Sequence, residues 1–199
     1  ICIVFNWMLV HGFLPDSLMN TTLISLIKDK KGDITDNDNY RPIAITTPLS
    51  KVFELAILSK LGDLLQTCTN QFGFKTGHST DQCIFALKEV INYYNSSSTP
   101  IFACFLDASK AFDRVNHWIL FDKLLKRNVP KLFIRLIIYW YRTQTFSVKW
   151  NGILSKSFTV SNGVRQGGVL SPKLFNVFID DLSKLLVNSK IGCSIANTC

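Results

Sequence analysis

Apolar positions along this chain recur at two spacings, and the changes between them divide it into elements. The opening "ICIVFNWMLVHGF" is almost continuously apolar and predicts a buried helix. After the polar, charged loop "KDKKGDITDNDNYRP", the run "LSKVFELAILSKLGDLL" repeats its apolar residues at helical spacing. Ser79 followed by Gln82 has capping-box form, and Ile84, Leu87, Ile91 and Tyr94 then share one helical face. "NSSSTP" ends that helix and leads into "IFACFLD", a continuous apolar run that predicts a buried central strand closing at Asp107. A short loop, a helix through "HWILFDKLLKRN" and another starting at Pro130 follow. "TFSVKW" and "ILSKSFTV" flank Asn151-Gly152, a hairpin signal, and a last helix starts near Pro172. Helices and strands mix without strict alternation, so the expected fold class is α+β.

Composition narrows the function classes. The 199 residues are 47% hydrophobic and 12% aromatic, enough to bury a core rather than stay disordered. The first residue is Ile1, which suggests a piece of something longer. No apolar run reaches the roughly 18 residues of a membrane span, and the start lacks a signal peptide's basic region. An intracellular place, nucleus or cytoplasm, is expected. Six cysteines form no Cys-x-x-Cys pair, which argues against structural zinc and for free thiols, with Cys83 and Cys104 as core residues.

The formal charge of +8 arises from 22 basic against 14 acidic residues. Between Lys110 and Lys149 nine Lys or Arg face only Asp113 and Asp122. A polyanionic partner and a merely solvated basic face both account for that excess.

Asp107 is the sharpest local feature, a first charge after an apolar run. A carboxylate on such a support suits a hard cation, and taken alone it also reads as a strand-ending residue that caps the next turn. The motifs "NYRPIAITTPLSKVFE", "QFGFKTGHST", "FLDASKAFDRV" and "VRQGGVLSPKLFN" occur together in this order. Together they closely resemble the reverse transcriptases of non-LTR (LINE-type) retrotransposons, from about Leu23 to the last residues. Ser25 departs from the proline often found there.

That resemblance implies a right-hand polymerase, with about 1–100 mainly fingers and about 101–199 mainly an incomplete palm. It implies RNA-templated addition of deoxynucleoside triphosphates to a DNA primer, with two Mg²⁺ ions (or Mn²⁺ as substitute) about 4 Å apart. By motif position Asp107 looks like a catalytic metal ligand, joined by the backbone carbonyl of Ala108. The amides of Lys110 and Ala111 would meet the triphosphate, and Arg41, with Lys30 or Lys31, would hold its phosphates. Phe112 matches the steric gate that excludes a 2′-OH. Gln166 and Gly167 match the motif beside the nascent base pair, where glycine permits close approach. Asp113 is expected to be structural and His117 a helix-start residue. Lys75, Lys123, Lys126, Arg127 and Arg165 are candidate nucleic-acid contacts.

The family also carries an aromatic-Ala-Asp-Asp hairpin. "IGCSIANTC" resembles its approach, so this chain is expected to stop short of it and to have little or no polymerase activity alone. "NVFIDDLSK" offers Asp180 and Asp181 as a substitute. Their surroundings are helical, with no turn residue beside them, so both are expected on a helix surface near a basic partner such as Lys184. Two other outcomes are a non-catalytic nucleic-acid-binding module and a degraded reading frame that never folds stably.

Overall fold

Capping side chains and prolines set where the helices begin, and the computed structural model describes residues 1–193. The part of the expected hairpin approach that falls on 194–199 lies outside the described residues.

Two helices, α1 (Cys2–His11) and α2 (Asp16–Met19), lead into strand β1 (Asn20–Ile27). A loop and a short 3-10 turn separate it from β2 (Tyr40–Ile45). Helix α3 (Pro48–Leu61) starts at Thr47, whose hydroxyl accepts from the Ser50 amide, with Pro48 pre-set for the first turn. Helix α4 (Thr80–Ser96) has the expected capping box: Ser79 Oγ accepts from the Gln82 amide, and Gln82 Oε1 accepts from the Ser79 amide. Asn116 caps α5 (His117–Lys126) by accepting from the amides of Trp118 and Ile119 at 2.9 and 3.1 Å. Helix α6 (Lys131–Thr143) follows Pro130, and α7 is Ser171–Ser189.

Strands β3 (Thr145–Trp150) and β4 (Ile153–Leu154) form the expected hairpin. Asn151 and Gly152 both take positive φ, 47° and 81°, as a tight two-residue turn between right-twisted strands requires. The second arm is shorter than its sequence suggests, continuing only as a bridge between Phe146 and Phe158. The sheet order is β2-β1-β3-β4, antiparallel, parallel and antiparallel in turn. The mixed α+β class is therefore correct.

Helices α5, α6 and α7 pack on α1 and α3 to make the core, where Leu120, Leu124, Leu136, Ile137, Trp140 and Leu174 are fully covered. Among the described residues no helix is long and apolar enough to cross a membrane, and the five described cysteines are free.

Three burial expectations fail. Residues 101–107 form no strand, and Phe102, Phe105 and Leu106 are 93%, 80% and 85% exposed. A strand is held by hydrogen bonds to a neighbour, and no described strand pairs with this segment. Cys83 and Cys104 are exposed rather than core, because α4 buries none of its residues and the run after it is bare. Helix α1 buries only Met8, since a helix apolar all round can turn only one side to α6.

Candidate active site

Three separated stretches of chain meet at one cleft of ≈ 1160 Å³. Strand β2 contributes Tyr40, Arg41 and Pro42, the turn after the bare apolar run contributes Asp107 to Asp113, and the loop before α7 contributes Gln166 to Val169. Of the residues named from the motifs, Asp107, Ala108, Lys110, Ala111, Phe112, Arg41, Gln166 and Gly167 all line it.

The β2 side is shaped by Asn39. Its side chain accepts from the Asp29 amide at 2.9 Å and donates to the carbonyls of Asp29 and Asp33, closing the 28–39 loop on itself. That loop delivers Asp38 to the rim, where its carboxylate meets Lys110 Nζ at 2.6 Å and its carbonyl accepts from Lys28 Nζ at 2.7 Å. The Lys110 hydrogen bond and charge hold the Asp38 carboxyl below the usual range and push Lys110 up in return. Both partners are exposed, so the bond closes the rim without strongly stabilising the fold. Lys30 and Lys31 are exposed and do not line the cleft; Lys28 stands there instead. Among the described residues nothing pairs with the exposed Arg41 guanidinium.

Phe112 stands between cleft and core. Its ring is 4.8 Å from Phe175 and 5.8 Å from Phe74, and it is half-buried. The turn beneath it is closed by Asp113 and Arg114 amides donating to the Lys110 carbonyl. Asp113 also lines the cleft, with Gln166 Nε2 at 3.4 Å.

The Gln166–Gly167 loop is held from two sides. The Ala44 amide donates to the Gln166 carbonyl at 2.6 Å. A Cβ on Gly167 would meet the Ala44 carbonyl oxygen at 2.8 Å, and its φ of 108° also requires glycine. From below, the fully buried Glu54 accepts from Arg165 Nη2 at 2.6 Å and from the Leu170 amide at 2.7 Å. The Arg165 guanidinium lies over the Trp140 ring, 4.5 Å from its centroid. Arg165, expected as a template contact, is instead found buried and paired with Glu54 of α3.

The other expected nucleic-acid contacts are also engaged within the protein. Lys123 pairs with Asp181 at 2.7 Å, and Arg127 with Asp180 at 2.5 Å. Lys126 pairs with Asp122 one helical turn away, and Lys75 donates to the Thr67 and Cys68 carbonyls. Asp180 and Asp181 do lie late in a helix, and Lys184 is a partner of Asp180 at 2.7 Å. Asp180 is not on the surface, however: its side chain is fully covered and also accepts from the Cys68 amide. Burial would raise its carboxyl, but Lys184, the Cys68 amide and Arg127 outweigh that and hold it below the usual range. Three donors make it a staple between α5, α7 and the 66–68 segment.

His117 starts α5 as expected. It is buried, and its Nε2–H donates to the Gly163 carbonyl at 2.8 Å. Among the described residues no three His, Cys, Asp or Glu side chains gather as a metal site. Asp107 and the Ala108 carbonyl suit a hard cation by donor type, yet they do not by themselves build a two-ion centre.

Sequence reasoning missed Lys28, Asp38 and Tyr40 in the cleft lining and Glu54 beneath it. Tyr40 and Arg41 open a β-branched stretch whose alternation signals a strand. A glutamate on the apolar face of the helix that became α3 was the available signal for a buried partner.

A family model described as "Reverse transcriptase (RNA-dependent DNA polymerase)" matches residues 27–196. The chain is 32% identical over 193 residues to the RNA-directed DNA polymerase from mobile element jockey of Drosophila melanogaster, covering 92% of this chain and 20% of that protein. It is 29% identical over 187 residues to the probable RNA-directed DNA polymerase from transposon X-element of the same species, covering 92% and 20%. With the Pol polyprotein from type-2 retrotransposable element R2DM it shares 28% over 200 residues, covering 98% and 18%. The chain spans about a fifth of the length of these relatives.

Proposed function

The chain belongs to the reverse transcriptase family, and on that premise we propose that it carries the deoxynucleotide-binding part of a non-LTR retrotransposon's RNA-directed DNA polymerase. The observation that carries this reading is the convergence of Arg41, the 107–113 turn and the Gln166–Gly167 loop on one cleft. In this reading about 1–100 is mainly fingers and about 101–199 mainly palm. The partners are an RNA template, a DNA primer and deoxynucleoside triphosphates.

Each residue then has a physical task. Arg41, always charged and bidentate toward phosphate, takes the triphosphate together with Lys28. The backbone amides of Lys110 and Ala111 add donors to the same phosphates. Phe112, braced by Phe175, forms an unyielding floor under the sugar and leaves no room for a 2′-OH. Gly167 lets the loop backbone approach the base pair that is being formed. The family generally uses divalent metal ions. Asp107 and the Ala108 carbonyl would be among their ligands, and the ions would stabilise charge on the reacting phosphate.

The test is titration of the purified chain with deoxythymidine triphosphate and Mg²⁺. Saturable binding that other deoxynucleoside triphosphates compete away is expected. A cooperatively folded chain with no such binding would sink the proposal.

A further inference from the structure

We propose that Glu54 is the positioning residue of the nucleotide cleft, holding the Gln166–Gly167 loop at both ends from beneath. This rests on the function proposed above. Arg165 and Leu170 bracket the loop, and each gives its hydrogen bond to a different oxygen of the one carboxylate: Arg165 Nη2 to Oε1 at 2.6 Å, the Leu170 amide to Oε2 at 2.7 Å. Glu54 is fully buried, and it reaches the loop from the middle of α3, an element packed in the core. A Cβ on Gly168 would meet Ser171 Oγ at 2.6 Å, with Glu54 Oε2 in van der Waals contact at 3.4 Å.

Those two anchors set where the rest of the loop can go. With its ends held, Gln166 offers its carbonyl to the Ala44 amide three residues beyond Arg41. The stretch just before Arg165 is tied to the gate turn: the Val164 amide donates to the Phe112 carbonyl at 2.9 Å, and the Gly163 amide to the Val115 carbonyl at 2.7 Å. One carboxylate therefore supports the loop that joins the Arg41 strand to the Phe112 turn. A buried ion pair contributes little net stability compared with well-packed apolar groups of similar size. Its value here is geometric, since an apolar pair could not accept from the Leu170 amide.

That distinction supplies the test. Glu54→Gln removes one acceptor and leaves a buried guanidinium unneutralised, so it can fail through folding alone. The decisive variant is Glu54→Leu with Arg165→Met, which replaces the pair by apolar groups of similar volume. Expected are a melting midpoint close to the parent's, at least tenfold faster hydrogen exchange at the amides of Gly167 to Leu170, and at least tenfold weaker binding of deoxythymidine triphosphate with Mg²⁺. Exchange in α6 stays as in the parent. Parent-like exchange at those amides in a stable double variant overturns the inference, as does parent-like binding. A parent chain that binds no triphosphate refutes the proposed function, while the exchange measurement still decides whether Glu54 anchors the loop. A double variant that does not melt cooperatively shows the pair to be a fold-stability element and also overturns the inference.

Discussion

Arg127 and Asp180, 53 positions apart in the chain, meet at 2.5 Å, with the carboxylate fully covered and the guanidinium mostly so. The pair locks the end of α5 to α7, and Asp180 further secures the 66–68 segment through the Cys68 amide. Asp180→Ala would leave that amide and a largely covered cation without their acceptor. The expected cost is about 3 kcal/mol, read as a lower urea midpoint at unchanged slope. Asp181→Ala removes a partner that is 68% exposed and should cost less than about 1 kcal/mol. Equal effects at the two positions would contradict the assigned difference in burial.

Acid should unfold the protein through the same staple. Asp180 and Asp181 are both held below the ordinary carboxyl value of 3.8. Groups depressed in the folded state add stability that is complete above the ordinary value and drains away as pH falls through the folded one. His117 acts in the same direction at milder pH: burial pushes its imidazole below 6.5, against the opposing Gly163 bond, so the folded state favours the neutral ring. Stability should decline below about pH 6.5 and again, more steeply, below about pH 4. His117→Gln should flatten the first decline in a pH series of melting curves and leave the second.

Nucleotide selection should divide between two residues. Arg41→Ala removes a charge-assisted contact of about 1.5–3 kcal/mol, so triphosphate affinity should fall by about ten- to a hundredfold. Phe112→Ala should instead narrow the preference for deoxythymidine triphosphate over uridine triphosphate, with affinity for the former little changed. Competition titrations separate the two, and an Arg41 variant that loses sugar discrimination would reverse the assignment.

Polymerisation by this chain should stay at background. Asp107 has no cluster of carboxylates around it among the described residues. Primer extension with template RNA, primer and Mg²⁺ measures this; synthesis abolished by Asp107→Ala would show that the metal centre is complete here.

Exposed apolar surface at Phe102, Phe105 and Leu106 should make the folded chain bind ANS. Replacing Phe102 and Leu106 by serine should lower the fluorescence without moving the melting midpoint, because neither side chain contributes to the core. A large loss of midpoint would mean that the segment is packed in solution.

What could be read from the sequence depended on whether the signal was local. The Ser79–Gln82 box and the Asn151-Gly152 turn are decided by neighbours a few residues away, and both form as expected. Burial depends on distant partners, and there the reading failed. An apolar run such as 101–107 has strand composition, but no described strand offers it an edge. The site divides the same way. Motif spacing named eight residues that line the cleft, whereas neither the motif nor the charge count foresaw that Arg165, Lys123 and Arg127 are held in internal ion pairs, because pairing is invisible until the chain is folded.

The Glu54–Arg165 pair also has a genetic consequence. Losing either partner alone strands a buried charge, so the two codons cannot drift separately without harm to the fold. A copy in which only one of the two is changed therefore carries a lesion that is readable from its sequence while the frame is still open.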